Sequence, residues 1–304
     1  MSFCSEVKNE ICAILPERPC CKKAMLNGAF AFFNTVSNSR IKMNTESASV
    51  ARYINTLIGD TVGISPDVTI KKSDRIKGFA IEINDKEEIL RIANELGLIN
   101  KNTQQISGVI DGNLSVNPCC QRAVIKGAFL AAGSVTNPQK SYHFEISGHR
   151  RASINVLNEL LISMDFNPKI IKRGADYVLY LKEKEAIADM LNLIGSKEMF
   201  FRFHDTLLMK EVKNKLNRKQ NFEQANLSKT VNAAVEQNMA IRNIIDSNRF
   251  EELPDNLKEL ALLRMENPEA SLSELSELLS EPLTRSGINH RLKKLTAIGL
   301  SIKK

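Results

Sequence analysis

The sequence predicts an α+β fold, a duplicated and pseudo-symmetric scaffold, followed by a separate all-α domain at the C-terminal end. Three observations carry this. Residues 20–36, CCKKAMLNGAFAFFNTV, recur 99 residues later as CCQRAVIKGAFLAAGSV at 119–135. After each copy the hydrophobic period changes in the same order, from two to near 3.6. Past the second copy the strand signal ceases and short helical patterns take over, the last of them strongly basic.

The repeat is long enough that duplication is the economical reading. It shares the Cys pair, Ala24 with Ala123, Gly28 to Phe30 with Gly127 to Phe129, and Val36 with Val135. Small residues four apart, Ala24 and Gly28 or Ala123 and Gly127, lie on one helix face and let two backbones approach. These two helices are therefore expected to form the contact between the halves. Next come a helical stretch, Ser47 to Ile58 or Arg151 to Ser163, and a short strand headed by Pro66 or Pro168. Phe79, Ile81 and Ile83, like Tyr177, Leu179 and Leu181, alternate as a half-buried strand does. Ile89, Ile92, Ala93 and Leu96 then form a helical face, matched by Ile187, Met190, Leu191 and Ile194, with Gly97 or Gly195 as the stop. The expected boundaries are 1–105 and 106–215 for the two repeats and 216–304 for the helical remainder.

Composition bounds the function. The 304 residues carry a net charge of +7, which suits a polyanionic partner. Glu6, Lys8 and Glu10 interrupt the apolar core an export signal would need, and the uncharged stretch from Ala24 to Ser39 is too short to cross a bilayer. A cytoplasmic protein is expected. The six cysteines, Cys4, Cys12, Cys20, Cys21, Cys119 and Cys120, contain no CxxC, a spacing that argues against structural zinc and for reduced thiols used as small packing groups. His143 and His149 are expected to be one half-buried and one solvent-facing histidine rather than a ligand pair. There is no GxxxxGK[ST] loop, nor a motif for serine or cysteine catalysis. No metal, cofactor or small-molecule substrate is expected.

In the C-terminal part, Met199, Phe203, Leu207 and Leu208 suit a helix over Lys197 to Leu216. The five basic residues of KEVKNKLNRK at 210–219 could face a phosphate backbone or form a solvated linker face, and the second reading is slightly favoured. A second helix is expected over Lys229 to Asp246, from Val231, Ala234, Val235, Met239, Ile241, Ile244 and Ile245. Three short helices follow, beginning near Asp255, Ser271 and Thr284, a spacing that fits a compact tri-helical module. Ser271 with Glu274 makes a capping box, and Thr284 caps the last helix with Leu283 and Ile288 at the staple positions. Ile288, Leu292 and Leu295 should bury against Leu262, Leu275, Leu278 and Leu279. That leaves polar and basic side chains outward, the arrangement of a helix-turn-helix from Ser271 to Gly299. Arg285, Ser286, Asn289 and His290 are the candidates for base contacts, and Arg291, Lys293 and Lys294 for phosphates.

The segments IKGAFLAAG at 125–133 and LNGAFAFFN at 26–34 resemble the helix motif of LAGLIDADG homing endonucleases. In that family the penultimate residue of the motif is a metal-binding acid; the aligned positions here are Phe33 and Ala132, which have no ligand atom. With IKGAFLAAGSVTNPQKSYHFEI at 125–146, NFEQANLSKTVNAAVEQ at 221–237 and TRSGINHRLKKL at 284–295, nearly the whole chain resembles the WhiA family of bacterial sporulation and cell-division regulators. The resemblance implies a LAGLIDADG-like pseudo-symmetric domain without nuclease activity, a DNA-binding helix-turn-helix domain, and transcription control linked to cell division, chromosome segregation or sporulation at the nucleoid. The expected partner is double-stranded DNA. Two alternatives are an active endonuclease recruiting another acid such as Glu145, and a scaffold whose main partner is a sigma factor or another transcription regulator.

Overall fold

The computed structural model describes residues 1–72, 77–100, 105–106, 108–111 and 117–302. They form two compact units, Met1–Met209 and Lys210–Lys304.

The first unit opens with α1 (Phe3–Ile11). The first repeat follows as α2 (Pro19–Phe30), β1 (Thr35–Val36), β2 (Ile41–Thr45), α3 (Ala48–Val62), β3 (Asp67–Lys72), β4 (Lys77–Ile83) and α4 (Lys86–Glu95). The second has the same order: α5 (Pro118–Ala132), β5 (Gly133–Val135), β6 (Phe144–Gly148), α6 (Arg151–Ile162), β7 (Lys169–Arg173), β8 (Asp176–Leu181) and α7 (Lys184–Leu193). The two antiparallel sheets have equivalent strand orders, β1-β2-β4-β3 and β5-β6-β8-β7. Register places Ile41 opposite Ile83 and Met43 opposite Ile81 in one sheet, and Phe144 opposite Leu181 and Ile146 opposite Leu179 in the other. All eight are buried, because alternation puts each set on the inner face. The helical faces foreseen for α4 and α7 are likewise buried, and Gly97 and Gly195 stop them at φ 63° and 83°.

The two halves meet along α2 and α5. A Cβ on Gly28 would lie 2.2 Å from the carbonyl oxygen of Val124, and one on Gly127 would lie 1.9 Å from that of Met25. Only glycine permits this approach, which is the physical content of the shared Gly-Ala-Phe core.

Helix α1 has no counterpart among the sequence expectations. Its cap, Ser2, accepts from the Ser5 amide at 3.2 Å, and Phe3, Val7 and Ile11 are buried one turn apart. The helix also anchors α8 (Lys197–Asp246), whose first-turn amides at Glu198 and Met199 donate to the Glu10 carboxylate at 2.7 and 3.3 Å. Arg202 adds an ion pair to Glu6 at 2.6 Å.

The two helices expected over Lys197 to Leu216 and Lys229 to Asp246 are one 50-residue helix. No Gly or Pro interrupts the sequence between them, so the helical backbone continues through the polar stretch. Met199, Phe203 and Leu207 are buried as expected, but Leu208, Val231, Val235 and Met239 are exposed. Ala234, Ile241 and Ile244 carry the packing face instead. No helix among the described residues is long and apolar enough to cross a membrane.

On the outer face of the first sheet, Glu82 accepts from Lys42 at 2.6 Å and Arg40 at 2.5 Å. The hydrogen bond from Lys42, then that from Arg40, holds its carboxyl at about 2. A depressed carboxyl stabilises the fold above its ordinary range and loses that contribution as pH falls toward the folded value. Glu82→Gln should therefore flatten the acid side of the stability curve between about pH 4.5 and 2 while changing little at pH 7 beyond a constant offset. Acid titration followed by tyrosine fluorescence checks this, since Tyr53, Tyr142, Tyr177 and Tyr180, the only tyrosines, all lie in the first unit.

Candidate nucleic-acid interface

The end of α8, a short 3₁₀ turn (Phe250–Glu252), α9 (Asp255–Glu266), α10 (Leu272–Leu278) and α11 (Arg285–Ser301) surround a core of their own. Ile288, Leu292 and Leu295 are buried on one stripe of α11. They share this core with Leu257, Leu260, Ala261, Leu275 and Leu279. Leu262 and Leu278, expected in that core, are half exposed. In α9 the inward stripe passes through Leu257, Leu260 and Ala261, which turns Leu262 outward, and Leu275 and Leu279 take the inward positions of α10 and its cap.

Side-chain hydrogen bonds fix the turns. The capping box is present: Glu274 donates its amide to the Ser271 hydroxyl at 3.2 Å, and the Ser271 amide donates to the Glu274 carboxylate at 2.6 Å. The bond from the Ser271 amide, and after it that from the Ser271 hydroxyl, hold the Glu274 carboxyl below its ordinary value. The buried guanidinium of Arg264 donates to the Ala270 carbonyl at 2.7 Å, closing the α9–α10 connection. Between α10 and α11 the Ser280 amide donates to Glu259 at 2.7 Å, and the Ser276 hydroxyl donates to the Leu283 carbonyl. Thr284 then accepts from the Gly287 amide at 3.2 Å and starts α11. At its other end, Gly299 sits where a Cβ would be 2.1 Å from the Ala240 carbonyl, and Asn243 donates to the Gly299 carbonyl at 3.3 Å. Helix α11 is thus held at both ends.

Its outward face carries Arg285, Ser286, His290, Lys293 and Lys294, all exposed, with Asn289 half-buried beside them. Arg291 is placed differently. It is half-buried, and its guanidinium turns back to the Asn256 carbonyl at 3.5 Å and lends positive charge to Glu259. From Arg285 to Ile302 there are four Arg and Lys and no acid, whereas α10 and its flanks carry Glu269, Glu274, Glu277 and Glu281. The positive charge of the module is therefore concentrated on α11, with the opposite sign on the neighbouring helix.

The C-terminal ends of α2 and α5 form the second place of interest. Phe33 is buried and stacks on Phe30 with ring centroids 4.4 Å apart, and Ala132 is the last residue of α5. Cations occupy the helix ends: Arg150 donates to the carbonyls of Ala31 and Phe33 at 3.2 and 3.3 Å, and Lys8 donates to that of Leu130 at 3.3 Å. Burial lowers the pKa of both groups. Glu46 is the carboxylate that shares a cavity with Ala132, and it faces Lys8. A divalent ion needs several oxygen ligands, and this donor set does not fit one.

Glu145, the acid weighed as a replacement, lies on β6 rather than at the helix ends. Its oxygens are held by His143 at 2.9 Å and Arg173 at 3.1 Å. Burial would raise its carboxyl, but these two hydrogen bonds outweigh that and leave it below the ordinary value. His149 pairs with a different carboxylate, Asp176, so the two histidines are not brought to one site.

Comparison with known proteins places both units. A family model described as the WhiA C-terminal HTH domain matches residues 216–299, and one described as the WhiA LAGLIDADG-like domain matches residues 121–213. The probable cell division protein WhiA of Alkaliphilus metalliredigens is 36% identical over 98% of this chain and 97% of its own length. That of Clostridium botulinum is 37% identical over 100% and 99%. Among solved structures, full-length DUF199/WhiA from Thermatoga maritima matches with a TM-score of 0.61 at 24% identity over 99% of each chain, a likeness of fold.

Proposed function

Because the chain belongs to the WhiA family, whose relatives are named probable cell division proteins, we propose that it is a sequence-specific, DNA-binding transcription regulator acting at the nucleoid in the cytoplasm, without nuclease activity. The observation that carries this is α11, an acid-free helix capped at its start, buried on one stripe and basic on the other. Such a helix fits a major groove, where its first turns reach base edges. Arg285, Ser286, Asn289 and His290 read bases in this proposal, and Lys293 and Lys294 hold phosphates. Arg291 reaches a phosphate only by leaving Asn256. The helix-turn-helix spans Ser271 to Gly299 within a domain of residues 216–304. The repeats, 1–105 and 106–215, add a second contact surface that raises affinity through effective concentration.

Phe33 and Ala132, with Arg150 and Lys8 at the adjoining carbonyls, support a scaffold that keeps the LAGLIDADG-like form without its metal chemistry. Incubating supercoiled plasmid with the protein and magnesium is expected to leave it intact, and Glu145→Gln to change nothing. Reproducible cutting lost in that variant would restore the endonuclease reading. The regulator itself is tested by selecting binders from a random double-stranded pool across a salt series. An enriched motif supports the reading. Salt-sensitive binding without a motif would move the role to a sigma factor or another regulator as the main partner.

A further inference from the structure

Cys20 and Cys21 stand in the first turn of α2, and Cys119 and Cys120 in the first turn of α5. The packing of α2 on α5 brings all four Sγ atoms within 4.8 Å of one another. Two Cys pairs 99 residues apart thus converge at the ends of the helices opposite Phe33 and Ala132. From this convergence we propose that Cys20, Cys21, Cys119 and Cys120 form a tetrathiolate site for one zinc-class divalent ion, clamping the N-terminal ends of α2 and α5 and so the two repeats together.

The dimensions fit. A tetrahedral ion with Zn–S bonds of about 2.3 Å separates its sulfurs by about 3.8 Å, so the thiols need draw in by about 1 Å at most, within reach of side-chain torsion. Cys119 and Cys120 already stand 3.9 Å apart. Burial is graded from Cys120, which is buried, through Cys21 and Cys119 to Cys20, which is exposed and leaves a path for the ion to enter. All four ligands are sulfur, the donor that selects thiophilic ions over magnesium or calcium, and four ligands close the coordination shell as in a structural site.

The charge is met as well. Four thiolates around a divalent ion leave a net charge of −2. Arg18 and Arg122 line the same cavity as Cys20 and Cys119. Helices α2 and α5 both begin here, each with proline first and no capping bond from the side chain of Arg18 or Asn117, and each cysteine pair lies in the first turn, at the positive end of its own helix. Cys4 and Cys12 lie outside the group.

The test uses the full-length chain, reduced and stripped with a chelator under anaerobic conditions, then titrated with cobalt(II). One equivalent should produce thiolate-to-cobalt charge transfer in the near ultraviolet and strong tetrahedral bands in the visible, both displaced by zinc. Zinc should also raise the tyrosine-reported unfolding temperature. Cys20→Ser, at the exposed ligand and so compatible with folding, should weaken zinc binding by about 100-fold. Cys4→Ser should leave it unchanged. Absence of the thiolate charge-transfer band at one equivalent, equal zinc affinity in Cys20→Ser, or four thiols already paired as disulfides under the reducing conditions would each overturn the site.

Discussion

Replacing Asn289 and His290 together with alanine is expected to erase the sequence preference of the chain while leaving a salt-dependent affinity for DNA. Both side chains lie near the start of α11, where a recognition helix meets the groove floor. In the proposed reading each of them contacts a base edge worth about 1–3 kcal/mol of discrimination, so the specific-to-nonspecific ratio should fall at least about 30-fold. Lys293→Ala and Lys294→Ala should do the opposite. They are expected to weaken all sequences alike and to lower the slope of log affinity against log salt by about 1 each. The measurement is a binding titration of selected and scrambled duplexes at several salt concentrations. A double variant that retains its motif would remove α11 as the reader. The fold is not at stake in this comparison, because neither side chain is in the module's core.

Gly127→Ala should destabilise the first unit by about 3 kcal/mol, the upper range for overpacking, despite a gain of up to about 1 kcal/mol in helix propensity. The new methyl would stand 1.9 Å from the Met25 carbonyl oxygen, on backbone that cannot rotate away. Relief requires α2 and α5 to separate along the seam that joins the repeats. Gly28→Ala meets Val124 in the same manner and should behave alike. For a unit of this size the loss corresponds to a fall of about 6–12 °C in the thermal midpoint. Tyrosine fluorescence reads this transition selectively, as all four tyrosines are in the first unit. An unchanged midpoint would mean that the helix pair tolerates separation, and the glycines would need another explanation.

Much of this architecture was legible in the residues. The repeated Gly-Ala-Phe core located the helix pair, alternation at 79–83 and 177–181 located the inner strands, and Ser271, Glu274 and Thr284 marked helix starts that the hydrogen bonds bear out. These signals are local, and each reflects a preference of the backbone within a few residues. The misses had physical causes. Helix α1 is nine residues long, too short for its pattern to stand out, and its worth lies in capping α8 through Glu10. In the long α8 a polar stretch reads as a boundary between two helices, although nothing in it breaks a helix. Leu262 and Leu278 fit an inward stripe by spacing alone but stand half exposed, because the stripe that faces a core depends on where the neighbouring helices sit.

By itself, then, the sequence determined the class of fold, the duplication and the basic face of the last helix, since these follow from period, spacing and composition. Only the tertiary structure decided that Arg291 turns toward α9, that Lys8 and Arg150 reach the carbonyls beside Ala132 and Phe33, and that two cysteine pairs 99 residues apart share one site. Each depends on groups far apart in the chain, and such distances are set by how whole elements pack, which no local preference encodes.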